Sequence, residues 1–169
     1  MSHVNPSNQE LRALLLSART IAVVGASAKP DRPSNEIMRV LLQAGFDVIP
    51  VTPNEESVLG KRAYPSLAEV PVPIDIVDVF RAAHAAPGIA REAVAVGSRV
   101  LWLQQGVVSE AAADIARSAG LVVVMDKCIG ETTRRLGIAA ARARSAEVDE
   151  AGRESFPASD PPAWMPPGN

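Results

Sequence analysis

With 169 residues, 17 Lys+Arg against 19 Asp+Glu and a formal charge of -2, the chain is sized for one domain. It lacks the basic face that general nucleic-acid binding requires, and its three Phe, two Trp and one Tyr make no base-stacking platform. The single cysteine excludes an internal disulfide framework and a paired-cysteine zinc knuckle. The longest apolar stretch, Ala119–Met125, has seven residues, far short of the roughly 18 that cross a bilayer. The opening Met1-Ser2-His3-Val4-Asn5-Pro6 carries no signal-peptide pattern. A cytoplasmic location without nucleic-acid or membrane partners is the expectation.

In chain order, a helix over about Gln9–Ser17 precedes a first apolar run, Ile21–Val24. Ile37, Leu41 and Ala44 then share one helix face, closed by Gly45. A second run, Asp47–Val51, leads into a turn at Thr52-Pro53-Asn54, an extended Gly60–Pro65 and a short helical turn at Ser66–Glu69. The third run, Ile74–Phe80, is followed by a helical face of Ile89, Ala93 and Val96 closed by Gly97. The fourth, Arg99–Leu103, is followed by Ala112, Ile115, Ala116 and Ala119 closed by Gly120. The fifth is Leu121–Met125, after which the Ala/Arg-rich stretch Glu131–Glu150 favours helix.

The first, third and fifth runs are continuous rather than alternating, as strands covered on both faces require. Strands alternating with helices predict an α/β fold: a three-layer, doubly wound parallel sheet, Rossmann-like, with five strands in the order 3-2-1-4-5. The domain is expected over residues 1–150, with its core at about 19–138. Residues 151–169 form a Pro-rich tail, without regular structure from Glu154 onward.

Ligands of open α/β sheets lie beyond the carboxyl ends of the strands, near the switch point. That rule selects Gly25-Ala26-Ser27, Thr52-Pro53-Asn54, Phe80-Arg81, Gln104-Gln105-Gly106 and Asp126-Lys127-Cys128. In the expected strand order the first and fourth of these flank the switch point. Pro33-Ser34 reads as a helix start suited to phosphate, with Lys29 and Arg32 before it. The plainer alternative is a Gly25 that only permits a tight turn and a Ser34 that only caps a helix. Gly25 is the only glycine of a G-x-G-x-x-G frame, and Thr52 stands where a dinucleotide site wants Asp or Glu.

Five motifs carry a family resemblance. They are Val23-Val24-Gly25-Ala26-Ser27, Val48–Asn54, Asp75–Arg81, Leu101–Val107 and Val124–Ile129, each at a strand end. Together they resemble the small CoA-binding domain proteins of bacteria, similar to the nucleotide-binding domain of the succinyl-CoA synthetase alpha chain. The resemblance implies CoA or acyl-CoA as ligand, with its phosphates and adenosine against Gly25, Ala26, Ser27, Lys29, Arg32 and Ser34. It implies Val51, Thr52 and Pro53 lining the nucleotide pocket, Phe80 and Arg81 closing its other wall, and Gln104 and Gly106 across the switch point. The chain departs from the family pattern at Thr52-Pro53-Asn54, where P-V-N-P followed by Lys is usual, so that Lys29 or Arg32 must supply the charge. It departs again at Lys127, where Arg usually precedes the late cysteine.

Cys128 and His84 sit at the same edge, and a nucleophilic Cys–His pair is weighed there. A small buried thiol and a solvated loop histidine is the preferred reading. Asp78 and Arg81 are spaced to reach the site mouth, or Asp78 caps a helix, and the Arg134-Arg135 and Arg142–Arg144 stretch reads as a solvated face. No acid–base pair or metal site is predicted. The leading expectation is thus a CoA-binding protein rather than a catalyst. Two alternatives stand beside it: an NAD(P)-dependent oxidoreductase on a reduced Rossmann domain, and an adaptor whose Phe156–Trp164 tail docks on a protein partner. An apolar face on the C-terminal helix would support a homodimer.

Overall fold

The computed structural model describes residues 3–155. Five parallel strands form the sheet: β1 (Thr20–Val24), β2 (Asp47–Val51), β5 (Ile76–Val79), β6 (Val100–Leu103) and β7 (Val122–Val124). A two-stranded hairpin, β3 (Ser57–Val58) with β4 (Lys61–Arg62), lies outside it. Helices α1 (Asn8–Ser17), α2 (Pro33–Gln43), α3 (Ala86–Ala95), α4 (Glu110–Ser118), α5 (Ile129–Arg135) and α6 (Ile138–Ser155) complete the chain order.

The continuous apolar runs are explained by burial on both sheet faces. Ile21 and Val23 of β1, Ile76 of β5 and Val100 and Trp102 of β6 pack with Leu11 and Leu15 of α1, Met38 and Leu41 of α2 and Ile129 of α5. The alternate residues Ala22, Val24, Val77, Val79, Leu101 and Leu103 pack with Ala90 and Ala93 of α3 and Ala112, Ala113 and Ala116 of α4. The expected three-layer, doubly wound, Rossmann-like sheet is therefore present. Trp102 is wholly buried, and its indole N–H donates to the Lys127 carbonyl at 2.9 Å, tying β6 to the loop after β7.

The strand order corrects the expectation. It is β2-β1-β5-β6-β7, so the third of the five parallel strands lies between the first and fourth, not outside the second. Two contacts account for this. Tyr64 bridges Val51, its N–H donating to Pro50 O at 3.1 Å while Thr52 N donates to Tyr64 O at 2.8 Å, and this occupies the outer edge of β2. Asp75, just before β5, accepts the backbone N–H groups of Arg19 and Thr20 at 2.7 and 3.1 Å, pinning the start of β5 beside the start of β1. The switch point consequently falls between β1 and β5, and the Gln104 loop lies one strand further along.

The long C-terminal helix is also interrupted. Gly137, at φ 67°, separates α5 from α6, a left-handed residue that glycine adopts at little cost. Arg142 is not part of a solvated face: its guanidinium donates to Ala18 O at 2.8 Å and Gly45 O at 3.2 Å and lies over the Phe46 ring. Helix α6 runs to Ser155, past the expected end of the domain and into the first residues of the expected tail. The Phe156–Trp164 peptide lies outside the described residues.

Candidate functional site

The loop after β1 is built around Gly25. Its φ is 90°, and a Cβ there would stand 2.5 Å from the Phe80 carbonyl oxygen, a backbone atom of the neighbouring strand's end. Glycine is therefore required both for conformation and for the close approach of two strand ends. The Gly25 N–H already donates to Val51 O at 3.0 Å, so it is not available to a ligand. Beyond it the loop is strapped down by Asn35, whose Nδ2 donates to Ser27 O at 2.9 Å while its Oδ1 accepts from Arg39 at 2.7 Å.

This loop delivers the chain to the start of α2 with Arg32 as N-cap, no side-chain cap and Pro33 in the first turn. Ser34 is buried and lies inside the helix, so it is not the cap. Pro33 has no N–H, and the Asn35 and Glu36 N–H groups donate to Arg32 O at 3.0 and 3.2 Å. The Ser34 N–H is thus the one first-turn donor left without a backbone partner among the described residues, at the positive end of the helix dipole.

Two clefts meet at this point. The first, about 500 Å³, is walled by Ser34, Ile37, Phe80, Gln104, Val107 and Cys128. The second, about 490 Å³, lies toward β2 and is walled by Ala26, Lys29, Val51, Thr52, Pro53 and Asn54. Gly25, Ser27, Arg32 and Arg81 border both. Lys29, Arg32 and Arg81 are exposed, and among the described residues the ion pairs are Arg99–Asp75 and Arg117–Asp114, leaving these three cations without a carboxylate partner. Glu36 and Glu55 add one negative charge to the lining of each cleft.

Twelve of the thirteen residues expected from the sequence line one cleft or both. Gly106 lines neither: its N–H donates to Asp126 Oδ1 at 2.7 Å. Thr52 has its N–H taken by the Tyr64 carbonyl and its hydroxyl oxygen accepts from Asn54 N at 3.2 Å, which leaves the hydroxyl proton as the donor it can offer the second cleft. Ile37 and Val107 were not among the expected site residues. Ile37 sits three positions after Ser34, on the same helix face, and that spacing was the available signal.

Cys128 is half-buried at the N-cap of α5, where its Sγ accepts from Glu131 N at 3.4 Å. It faces the first cleft rather than only the core, whereas His84 belongs to a 3-10 turn at Ala83–Ala85 and lines neither cleft. Asp78 neither reaches the mouth nor caps a helix. It is fully buried in β5, in register with Val23 and Trp102, and accepts a short hydrogen bond from Gln104 Nε2 at one carboxyl oxygen. The other oxygen has no partner among the described residues. Burial pushes the Asp78 carboxyl well above the usual carboxylate range, only partly opposed by the Gln104 N–H.

A parallel sheet with a glycine turn at the switch point and a two-lobed cleft at the strand ends defines a Rossmann-like domain. The family model described as "CoA binding domain" matches residues 19–133, and the chain belongs to that family. Uncharacterized protein YneT of Bacillus subtilis is 42% identical over 125 residues, covering 74% of this chain and 93% of that protein. A hypothetical protein from Pyrococcus horikoshii superposes with a TM-score of 0.76 at 35% identity, covering 80% of this chain and 99% of that one. ADP-forming acetate–CoA ligase II of Archaeoglobus fulgidus is 31% identical over 80 residues, 46% of this chain but 12% of the ligase. Among the described residues no helix is long and apolar enough to cross a membrane.

Proposed function

We propose that this protein binds CoA or an acyl-CoA across the two clefts, as a carrier or sensor rather than as a catalyst. The observation that carries the reading is the shared rim, where Arg32 and Arg81 border both clefts and form no ion pair among the described residues, next to the free Ser34 N–H at the start of α2. The nucleotide end of CoA, with its phosphates, suits the polar β2-side cleft and this rim. The neutral pantetheine arm suits the first cleft, where Ile37, Phe80 and Val107 supply apolar walls. Family membership and the partial likeness to a CoA ligase support the same ligand. Thermal denaturation with CoA, acetyl-CoA, NAD and NADP tests it: CoA should raise the midpoint. A rise with NAD and none with CoA would overturn it in favour of the dinucleotide reading, for which Glu55 in the second cleft is the one supporting residue.

Arg32→Ala should weaken CoA binding by about 1.5–3 kcal/mol, the range of a charge-assisted hydrogen bond. Titration calorimetry at two ionic strengths checks this, and the loss should shrink at high salt because the contact is exposed. Unchanged affinity at low salt would assign the phosphates to Lys29 and the helix start instead.

Because Cys128 lines the cleft given to the pantetheine arm, CoA disulfide should exchange with it. The Cys128 thiolate attacks one sulfur, a Cys128–CoA mixed disulfide forms, and one CoA leaves as its thiolate. Intact-mass measurement should find one CoA added to the wild type and none on Cys128→Ser.

A further inference from the structure

Two polar side chains that line the first cleft are almost completely buried, Ser34 and Gln104, and Gln104 is the one backed by a buried carboxyl group. Gln104 is 5% exposed, lines the cleft, and has its amide nitrogen engaged by Asp78 behind it. A glutamine amide has two ends of opposite polarity, a donating NH2 and an accepting carbonyl. In the structure the NH2 end donates to Asp78 Oδ1, which leaves the carbonyl oxygen for the cleft. Ile37, Phe80 and Val107 supply the apolar walls of this cleft, whereas Glu36 and Gln105 of its lining are exposed to solvent and Ser34 is buried.

From this arrangement we infer that Gln104 determines specificity in the first cleft, accepting a hydrogen bond from an amide N–H of the ligand's arm, and that Asp78 is the residue that positions it. The assignment rests on the CoA reading, since pantetheine is an arm whose polar groups between phosphate and thiol include two secondary amides. It goes beyond that reading by fixing the polarity of the contact. A ligand group with only acceptors at this point would face an acceptor, and both would be left unsatisfied away from water. The burial of Asp78 in the middle of an otherwise apolar strand then has a purpose. A carboxyl group with one oxygen unpartnered is a poor core residue, but it orients an amide that a hydrocarbon side chain could not.

The test compares CoA with two analogues, in each of which one pantetheine amide is replaced by an ester. The ester keeps the carbonyl and loses the N–H. Wild-type protein should bind one of the two esters about tenfold more weakly than CoA. In Gln104→Met that discrimination should vanish, while affinity for adenosine 3′,5′-bisphosphate, which has no arm, should stay at the wild-type value. Asp78→Asn retains an acceptor for the Gln104 NH2 group and should preserve the discrimination, whereas Asp78→Ala should lose it. If Asp78→Ala does not fold, the wild type, Asp78→Asn and Gln104→Met still decide the matter. CoA binding with no preference for amide over ester, or a preference that survives in Gln104→Met, overturns the assignment alone. A folded wild type that binds neither CoA nor the bisphosphate overturns the CoA reading beneath it.

Discussion

Replacing Gly25 with alanine should destabilise the fold by about 3 kcal/mol and abolish ligand binding. Two costs combine: a non-glycine residue held at φ 90° and a methyl group driven to 2.5 Å from the Phe80 carbonyl, each worth about 1–3 kcal/mol. Neither neighbour yields easily, because Phe80 N is bonded to Val24 O at 2.8 Å and Gly25 N to Val51 O at 3.0 Å. Relief of the clash would have to come from separating β1 and β5 at the switch point, where the two clefts join. Gly130→Ala is the informative contrast. Its Cβ would meet Ile37 Cδ1 at 2.7 Å, but that atom ends a flexible side chain, and alanine improves the helix by about 1 kcal/mol. Urea unfolding of both variants should show a large loss for Gly25→Ala and a much smaller change for Gly130→Ala. Equal losses would contradict the close-approach argument.

The buried carboxyl of Asp78 should give the protein a pH dependence that most acidic side chains do not. Burial raises its folded-state value above that of the unfolded chain, so the folded protein holds the proton more tightly. The contribution to stability is then fully present below the ordinary carboxylate range and is lost as pH rises toward the folded value. In that window the wild type should lose about 1.4 kcal/mol per pH unit through this group. Asp75 acts in the opposite sense: burial pushes it up, but the Arg19 and Thr20 N–H groups and Arg99 outweigh that and hold it below the ordinary range. Its contribution is present above the ordinary range and lost as pH falls. Subtraction of Asp78→Asn, which carries no proton to lose, removes Asp75 and every other shared group. Urea midpoints from about pH 4 to about pH 8 should show the variant gaining on the wild type as pH rises. Parallel curves would mean that Asp78 does not titrate as a buried acid.

Strands covered on both faces must be apolar throughout, and helices between them end near glycines. The runs at Ile21–Val24 and Leu121–Met125 and the stops at Gly45, Gly97 and Gly120 were therefore readable in the sequence. The strand order was not. It depends on a bridge from Tyr64 to Val51 and on one carboxylate, Asp75, gripping two backbone N–H groups more than fifty residues earlier. Neither leaves a periodic trace, and the two-residue strands β3 and β4 are too short for one. The break at Gly137 was concealed by the helical propensity of its Ala- and Arg-rich surroundings.

At the site, position was legible and partnership was not. The strand-end rule finds Gly25, Phe80, Arg81 and Gln104, because topology alone brings strand ends together. It does not reveal that the Gly25 N–H is consumed by Val51, that Gly106 turns to Asp126, or that Asp78 faces Gln104 across adjacent strands. The first two arise between strands that were expected as neighbours and depend on register alone, whereas the Asp78–Gln104 contact needs the third strand's unexpected place beside the fourth.

Titration calorimetry of CoA into the wild type and into the double variant Arg32→Ala/Arg81→Ala tests the central claim most directly, since these two arginines border both clefts. One CoA should bind per wild-type chain, and the double variant, still folded by circular dichroism, should bind it at least about a hundredfold more weakly. No heat of binding in the wild type, or the same affinity in the double variant, would contradict CoA binding at this site.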